Sequence, residues 1–272
     1  MEQNRRISEL LKNTIGQRYD AMALKMIREE SEVAENAIYP LRDLGQHMAL
    51  CQAFALSRRE GKTVYMQKKD HWCWAPLIAY GQVKLQKGTP AFNELLPVIG
   101  INDPEAAAAF IENMPHLPTD VYKGILTAPL RTAEFEPDAI VINCRNSELR
   151  SILLGIKTQT GTTMKTEFDA IDSCVWGIIP TLTKGEYRVS FPDPGDFSRA
   201  NTSEDDVILA VPKERLAEFE RGIESLNHMG MLHKSFNMGM EYDFARPQFY
   251  NNMFRAWGLD EGKSFTIPMP EK

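Results

Sequence analysis

Two stretches of this chain read as versions of one another, and that likeness constrains its architecture more than any other feature. The first runs from Cys51-Gln-Ala-Phe-Ala-Leu through Gly61 to Asp70-His-Trp-Cys73-Trp74. The second runs from Cys144-Arg-Asn-Ser-Glu-Leu through Gly155 to Asp172-Ser-Cys174-Val-Trp176. In each, a cysteine opens or sits within a helix-like run, a glycine closes that run, and a second cysteine follows an aspartate by two or three residues. These are all the cysteines of the chain. The expected arrangement is an internal pseudo-repeat, two related halves sharing a cleft.

Between these landmarks, short β-branched runs alternate with segments of helical period. Thr63 to Met66, Ala139 to Asn143, Tyr187 to Phe191 and Val207 to Val211 read as strands, and Asp120 to Leu130 contains a further one. Arg5 to Ile15, Leu41 to Arg59, Trp74 to Tyr80, Asn102 to Asn113, Ser147 to Leu154, Trp176 to Leu182 and Pro212 to Leu226 read as helices, with Gly16 and Gly61 as stop signals. Leu44, Met48, Cys51 and Ala55 recur at intervals of three and four, which puts Cys51 on an apolar face. The pattern predicts an α/β or α+β fold in which helices pack on a mixed sheet. Residues 1–226 are expected to form a single domain with an N-terminal helical arm. Residues 227–272, rich in methionine and aromatics, are expected to form an extension that packs on that core.

Composition narrows the function. With 272 residues, of which 43% are hydrophobic, the chain can bury a sizeable core. Its formal charge of −6 comes from interspersed residues, with no basic stretch to track a phosphate backbone, so nucleic acid is not expected as a partner. No apolar run approaches the roughly 18 to 20 residues of a membrane span, and the charged, amphipathic N-terminus does not read as a signal peptide. A cytoplasmic protein is expected. Four cysteines there point to packing, metal binding or redox chemistry ahead of disulfides.

The chain resembles the DUF169 family of uncharacterised bacterial and archaeal proteins over about residues 41–226. The resemblance rests on Cys51-Gln-Ala-Phe-Ala-Leu, on Asp70-His-Trp-Cys73 followed by Gly81, and on Pro137-Asp-Ala-Ile-Val-Ile. It rests also on Pro194-Gly-Asp-Phe-Ser-Arg199 with Val207-Ile-Leu-Ala-Val-Pro212 after it. It implies cysteines at positions like Cys51, Cys73 and Cys174, whereas Cys144 departs from the pattern. It implies a fold and a candidate site but no activity.

Cys51, Cys73 and Cys174 are therefore the candidate metal ligands. Three thiolates would suit a zinc ion completed by His71, His47 or water, or an iron–sulfur cluster with a thiolate-poor fourth position. Such a centre would support redox or transfer chemistry, although no C-x2-C pair is present. Cys73 and Cys174 each follow an aspartate that could cap a short helix, where unpaired backbone N–H groups favour a thiolate; burial as plain packing residues is the alternative. His71, Trp72, Trp74 and Trp176 could line an aromatic pocket for a small molecule, the function of a non-enzymatic binding or sensory module. Gly195 and Arg199 could hold an anionic ligand, the alternative being a turn with Arg199 paired to Glu204, Asp205 or Asp206. His228-Met-Gly-Met231 and Asn237-Met-Gly-Met240 could offer soft ligands or simply fill core space. The aromatic tail is also consistent with docking on a partner, including a second copy of the chain.

Overall fold

The computed structural model describes residues 1–229, 246–259 and 266–267. The second Met-Gly-Met motif and most of the tail fall outside these residues. Six strands form one sheet: β1 (Met22–Ile27), β2 (Val64–Gln67), β3 (Gly124–Pro129), β4 (Ala139–Arg145), β5 (Arg188–Ser190) and β6 (Asp206–Pro212), in the order β2-β3-β1-β4-β6-β5. Every neighbouring pair is antiparallel. The sheet is thus antiparallel rather than mixed, and the class is α+β.

Both faces of the sheet are covered, which is why its strands read as continuous apolar runs. Ala23, Leu126, Ile140, Ile142, Cys144 and Leu209 point to one face. There they meet α1 (Glu2–Leu10), α7 (Asn146–Thr160) and α11 (Leu216–Met229). Met22, Leu24, Met66, Ile125, Val141 and Ile208 point to the other. That face is covered by α3 (Leu50–Glu60), α4 (Trp74–Ala79), α8 (Ser173–Trp176) and α9 (Ile179–Lys184). Phe219, Leu11 and Leu24 are wholly buried, each contributing about 1.5–3 kcal/mol by leaving water.

Several elements differ from the sequence reading for local reasons. The helix expected over residues 41–59 is two: Gly45 takes a left-handed conformation (φ 67°) and separates α2 (Pro40–Leu44) from α3, so Cys51 lies in the first turn. Gly155 does not close its helix. It lies inside α7, which ends at Gly161, because Gly155 faces Gly222 of α11 and lets the two backbones touch. A Cβ on Gly155 would stand 2.8 Å from the Gly222 carbonyl oxygen, and one on Gly222 would stand 2.6 Å from that of Gly155. The segment of Gly195 and Arg199 is not a turn but a helix, α10 (Pro194–Arg199), capped by Asp193. Pro212 ends β6 instead of opening α11.

The strand order reads the same from either end if β1, β2 and β3 are exchanged with β4, β5 and β6. The helices do not follow that exchange. α3 and α7, which follow β1 and β4, cover opposite faces, so Cys51 and Cys144 are separated by the sheet. A repeat of the whole unit is not shown.

Candidate functional site

Three short helix starts bring three cysteines to one corner. Cys51 occupies the first turn of α3, Cys73 is the N-cap of α4, and Cys174 lies in the single turn α8. Cys73 packs against both the cluster holding Cys51 and Ala200 and the cluster holding Cys174, which makes it the link between them. The Tyr80 hydroxyl, fully buried, donates to the Cys174 carbonyl oxygen at 2.9 Å and so ties α8 to the end of α4. All four cysteines are free thiols.

α10 supplies an acidic wall. The Asp193 side chain accepts from the Gly195 N–H at 2.7 Å and the Asp196 N–H at 3.0 Å, satisfying donors that a helix start leaves open. Asp196 in turn accepts from the Asp193 N–H at 3.0 Å. The Ser173 hydroxyl lies 2.6 Å from Asp196 Oδ2 and 3.2 Å from Asp193 Oδ2. One hydroxyl hydrogen is shared between two carboxylates. Burial, with the Asp193 charge next, raises Asp196 to about 6. Asp172, 7% exposed, is raised to about 7 by burial and then by Asp193 and Asp169, and its Oδ2 has no hydrogen-bond partner.

The thiols respond to the same environment. Burial raises Cys51 to about 12, with Asp196 and Asp193 adding to the shift and Arg199 opposing it. Burial raises Cys73 also; the Ala75 backbone N–H opposes it, as does Arg199, while Asp172 and Asp193 reinforce it. Cys174 is pushed well up by burial and then by Asp193, Cys73, Asp172 and Cys51. The expectation of helix-start thiolates with lowered pKa values is therefore overturned. Desolvation and neighbouring carboxylates outweigh one short turn's N–H groups, and Asp172 at the start of α8 makes no side-chain cap bond.

Arg199 and Trp72 mark the rim. Trp72 is 62% exposed, and the Arg199 guanidinium lies 4.7 Å from its ring centroid. Gly195 is needed for this placement, since a Cβ there would overlap the guanidinium Nη2. Arg199 faces Trp72 and Cys51 and forms no ion pair with Glu204, Asp205 or Asp206 among the described residues.

The other predicted residues are placed elsewhere. His71 is buried with neither ring nitrogen hydrogen-bonded, and burial alone lowers it to about 4, with no contribution from the cluster's charges. His47 Nδ1 sits 3.0 Å from the Lys69 carbonyl oxygen at the surface. The three tryptophans have different surroundings. Trp74 lines a groove of about 480 Å³ with Leu77, Val83, Leu95 and Val98, Trp176 packs on Phe110 at 5.8 Å, and Trp72 faces outward. Cys144 lies beyond the sheet beside Glu148 and Asp206, and burial pushes its thiol strongly up.

Sequence reasoning missed Ser173, Asp193, Asp196 and Arg58. Arg58, 4% exposed, donates to the Ala200 carbonyl oxygen and to Thr202 Oγ1, and its charge lies near Asp196. It lies at the end of the helix expected over Leu41 to Arg59. The Asp193-Pro-Gly-Asp196 spacing of a capping box was the available signal for the acidic wall.

Together these features define an α+β protein with three thiols gathered against a capped acidic helix. The chain belongs to the DUF169 family, described as "Uncharacterised ArCR", whose family model matches residues 10–222. No curated protein and no solved structure matches it. Among the described residues no helix is long and apolar enough to cross a membrane.

Proposed function

We propose that Cys51, Cys73 and Cys174 bind a soft divalent metal ion such as zinc, and that Arg199 and Trp72 present a small anionic ligand to it. The observation that carries this reading is the meeting of three cysteines from three separate segments in one acidic corner. Groups that repulsion and burial keep protonated give up their protons to a cation, which inverts the local balance. Three sulfurs leave a fourth tetrahedral position, within reach of Asp172 or water, and an open position is what transfer chemistry on a bound ligand requires. An iron–sulfur cluster suits the corner less well, because the fourth cysteine lies across the sheet.

Among the described residues no group of three or more His, Cys, Asp or Glu stands ready to hold a metal. Binding therefore requires the sulfurs to draw together. Metal and labile-sulfide analysis of protein purified without oxygen tests the proposal. Stoichiometric zinc without sulfide, lost in Cys73→Ser and kept in Cys144→Ala, is the expected result. Protein that neither retains zinc nor takes it up on titration would overturn it.

A further inference from the structure

A second polar pocket, sharing no residue with the cysteine corner, opens between the end of α7, the 162–167 segment and edge strand β5, with a volume of about 470 Å³. Arg188 lines it. This side chain is 5% exposed, and its Nε has no hydrogen-bond partner. Its nearest carboxylates are Glu186 at 3.3 Å, about half exposed, and Glu167 at 3.6 Å, largely in solvent. Charge-assisted hydrogen bonds are shorter, about 2.7–2.9 Å. A buried guanidinium held this loosely still has donors to satisfy.

The rest of the lining favours the same kind of partner. Lys165 and Lys184 are exposed and form no ion pair among the described residues, and the Thr162 and Thr163 hydroxyls are unengaged there. Arg215 is already committed to the Gly185 carbonyl oxygen at 3.1 Å and to Glu218 at 3.4 Å, so it frames the pocket. Three available cations and two hydroxyls outweigh two carboxylates that can rotate into water. We infer that this pocket binds the phosphate group of a small phosphorylated molecule. Arg188 anchors the dianion, and the lysines and threonine hydroxyls close around it. The volume exceeds that of phosphate alone and falls in the range of small-ligand sites, about 300–1,000 Å³, leaving room for an attached organic body.

Titration calorimetry and thermal unfolding of the full chain with inorganic phosphate and pyrophosphate test this, with citrate at matched ionic strength for comparison. The expected result is saturable binding of pyrophosphate, weakened at least roughly tenfold in Arg188→Gln and in the exposed double variant Lys165→Gln/Lys184→Gln. The double variant keeps the test open if the buried substitution unfolds the protein. No saturable phosphate or pyrophosphate binding, citrate binding as tightly as pyrophosphate, or affinity unchanged in the double variant would each overturn the assignment.

Discussion

At the scale of single residues, Asp172 decides how the cysteine corner behaves. Its carboxyl has an oxygen without a partner and resists ionisation because of its burial and, after that, the nearby Asp193 and Asp169. At pH 8 the folded, metal-free protein must hold that charge in a poor environment, whereas the unfolded chain solvates it freely. Asp172→Asn is therefore expected to stabilise the metal-free protein at pH 8 by about 1–2 kcal/mol, and much less at pH 5, where the carboxyl is already neutral. Urea unfolding at the two pH values measures this. Equal effects at both would show that Asp172 does not ionise against the cluster.

At the scale of elements, α7 and α11 cross in close contact, because two glycines let the helix backbones meet. Neither Gly155 nor Gly222 needs an unusual backbone conformation; both are required for space. Gly222→Ala is expected to push the helices apart and cost about 1–3 kcal/mol, read as a lowered midpoint in thermal or urea unfolding. A neutral or stabilising substitution, as helix propensity alone would give, would contradict this close approach. The same pair shows what the sequence could and could not convey. Strands β2, β4, β5 and β6, helices α1 and α4, and the helix Pro104–Glu112, capped by Asp103, were legible because β-branched runs, apolar spacing and caps act locally. Gly155 was misread as a stop because its reason for being glycine lies 67 residues away in the chain. The break at Gly45 was missed because apolar spacing continued across it. Cys51, Cys73, Cys174, Gly195 and Arg199 were singled out through the family resemblance. The buried roles of Arg58 and Ser173 were not, since each depends on which distant aspartate or carbonyl the fold brings near.

At the scale of the whole molecule, the buried titrating groups set an unusual pH dependence. Asp172 and Asp196 titrate near 7 and 6 when folded and near their ordinary 3.8 when unfolded. The folded state thus holds the extra protons, and the stability these groups confer at low pH is lost as pH rises from about 4 through 7. His71 acts oppositely: its folded value near 4 lies below its ordinary 6.5, so its contribution is present above 6.5 and lost as pH falls towards 4. Two carboxyls against one imidazole leave a net gain on acidification. The metal-free protein is expected to be more stable at pH 5 than at pH 8, checked by urea midpoints across that range. A midpoint that falls steadily from pH 8 to pH 5 would show that His71 outweighs the acidic corner. Helices cover both faces of the sheet, and the sheet separates Cys144 from the other three cysteines. It also limits a shared thiol site to Cys51, Cys73 and Cys174.

The most direct test counts protons released when zinc is titrated calorimetrically into the metal-free protein in buffers of different ionisation enthalpy. Because burial and the aspartates keep all three thiols protonated near neutral pH, ligation by Cys51, Cys73 and Cys174 should release about three protons per ion. About two are expected in Cys73→Ser, with weaker affinity, and about three again in Cys144→Ala. Absence of zinc binding, or a proton count indifferent to Cys73→Ser, would contradict a three-thiolate site.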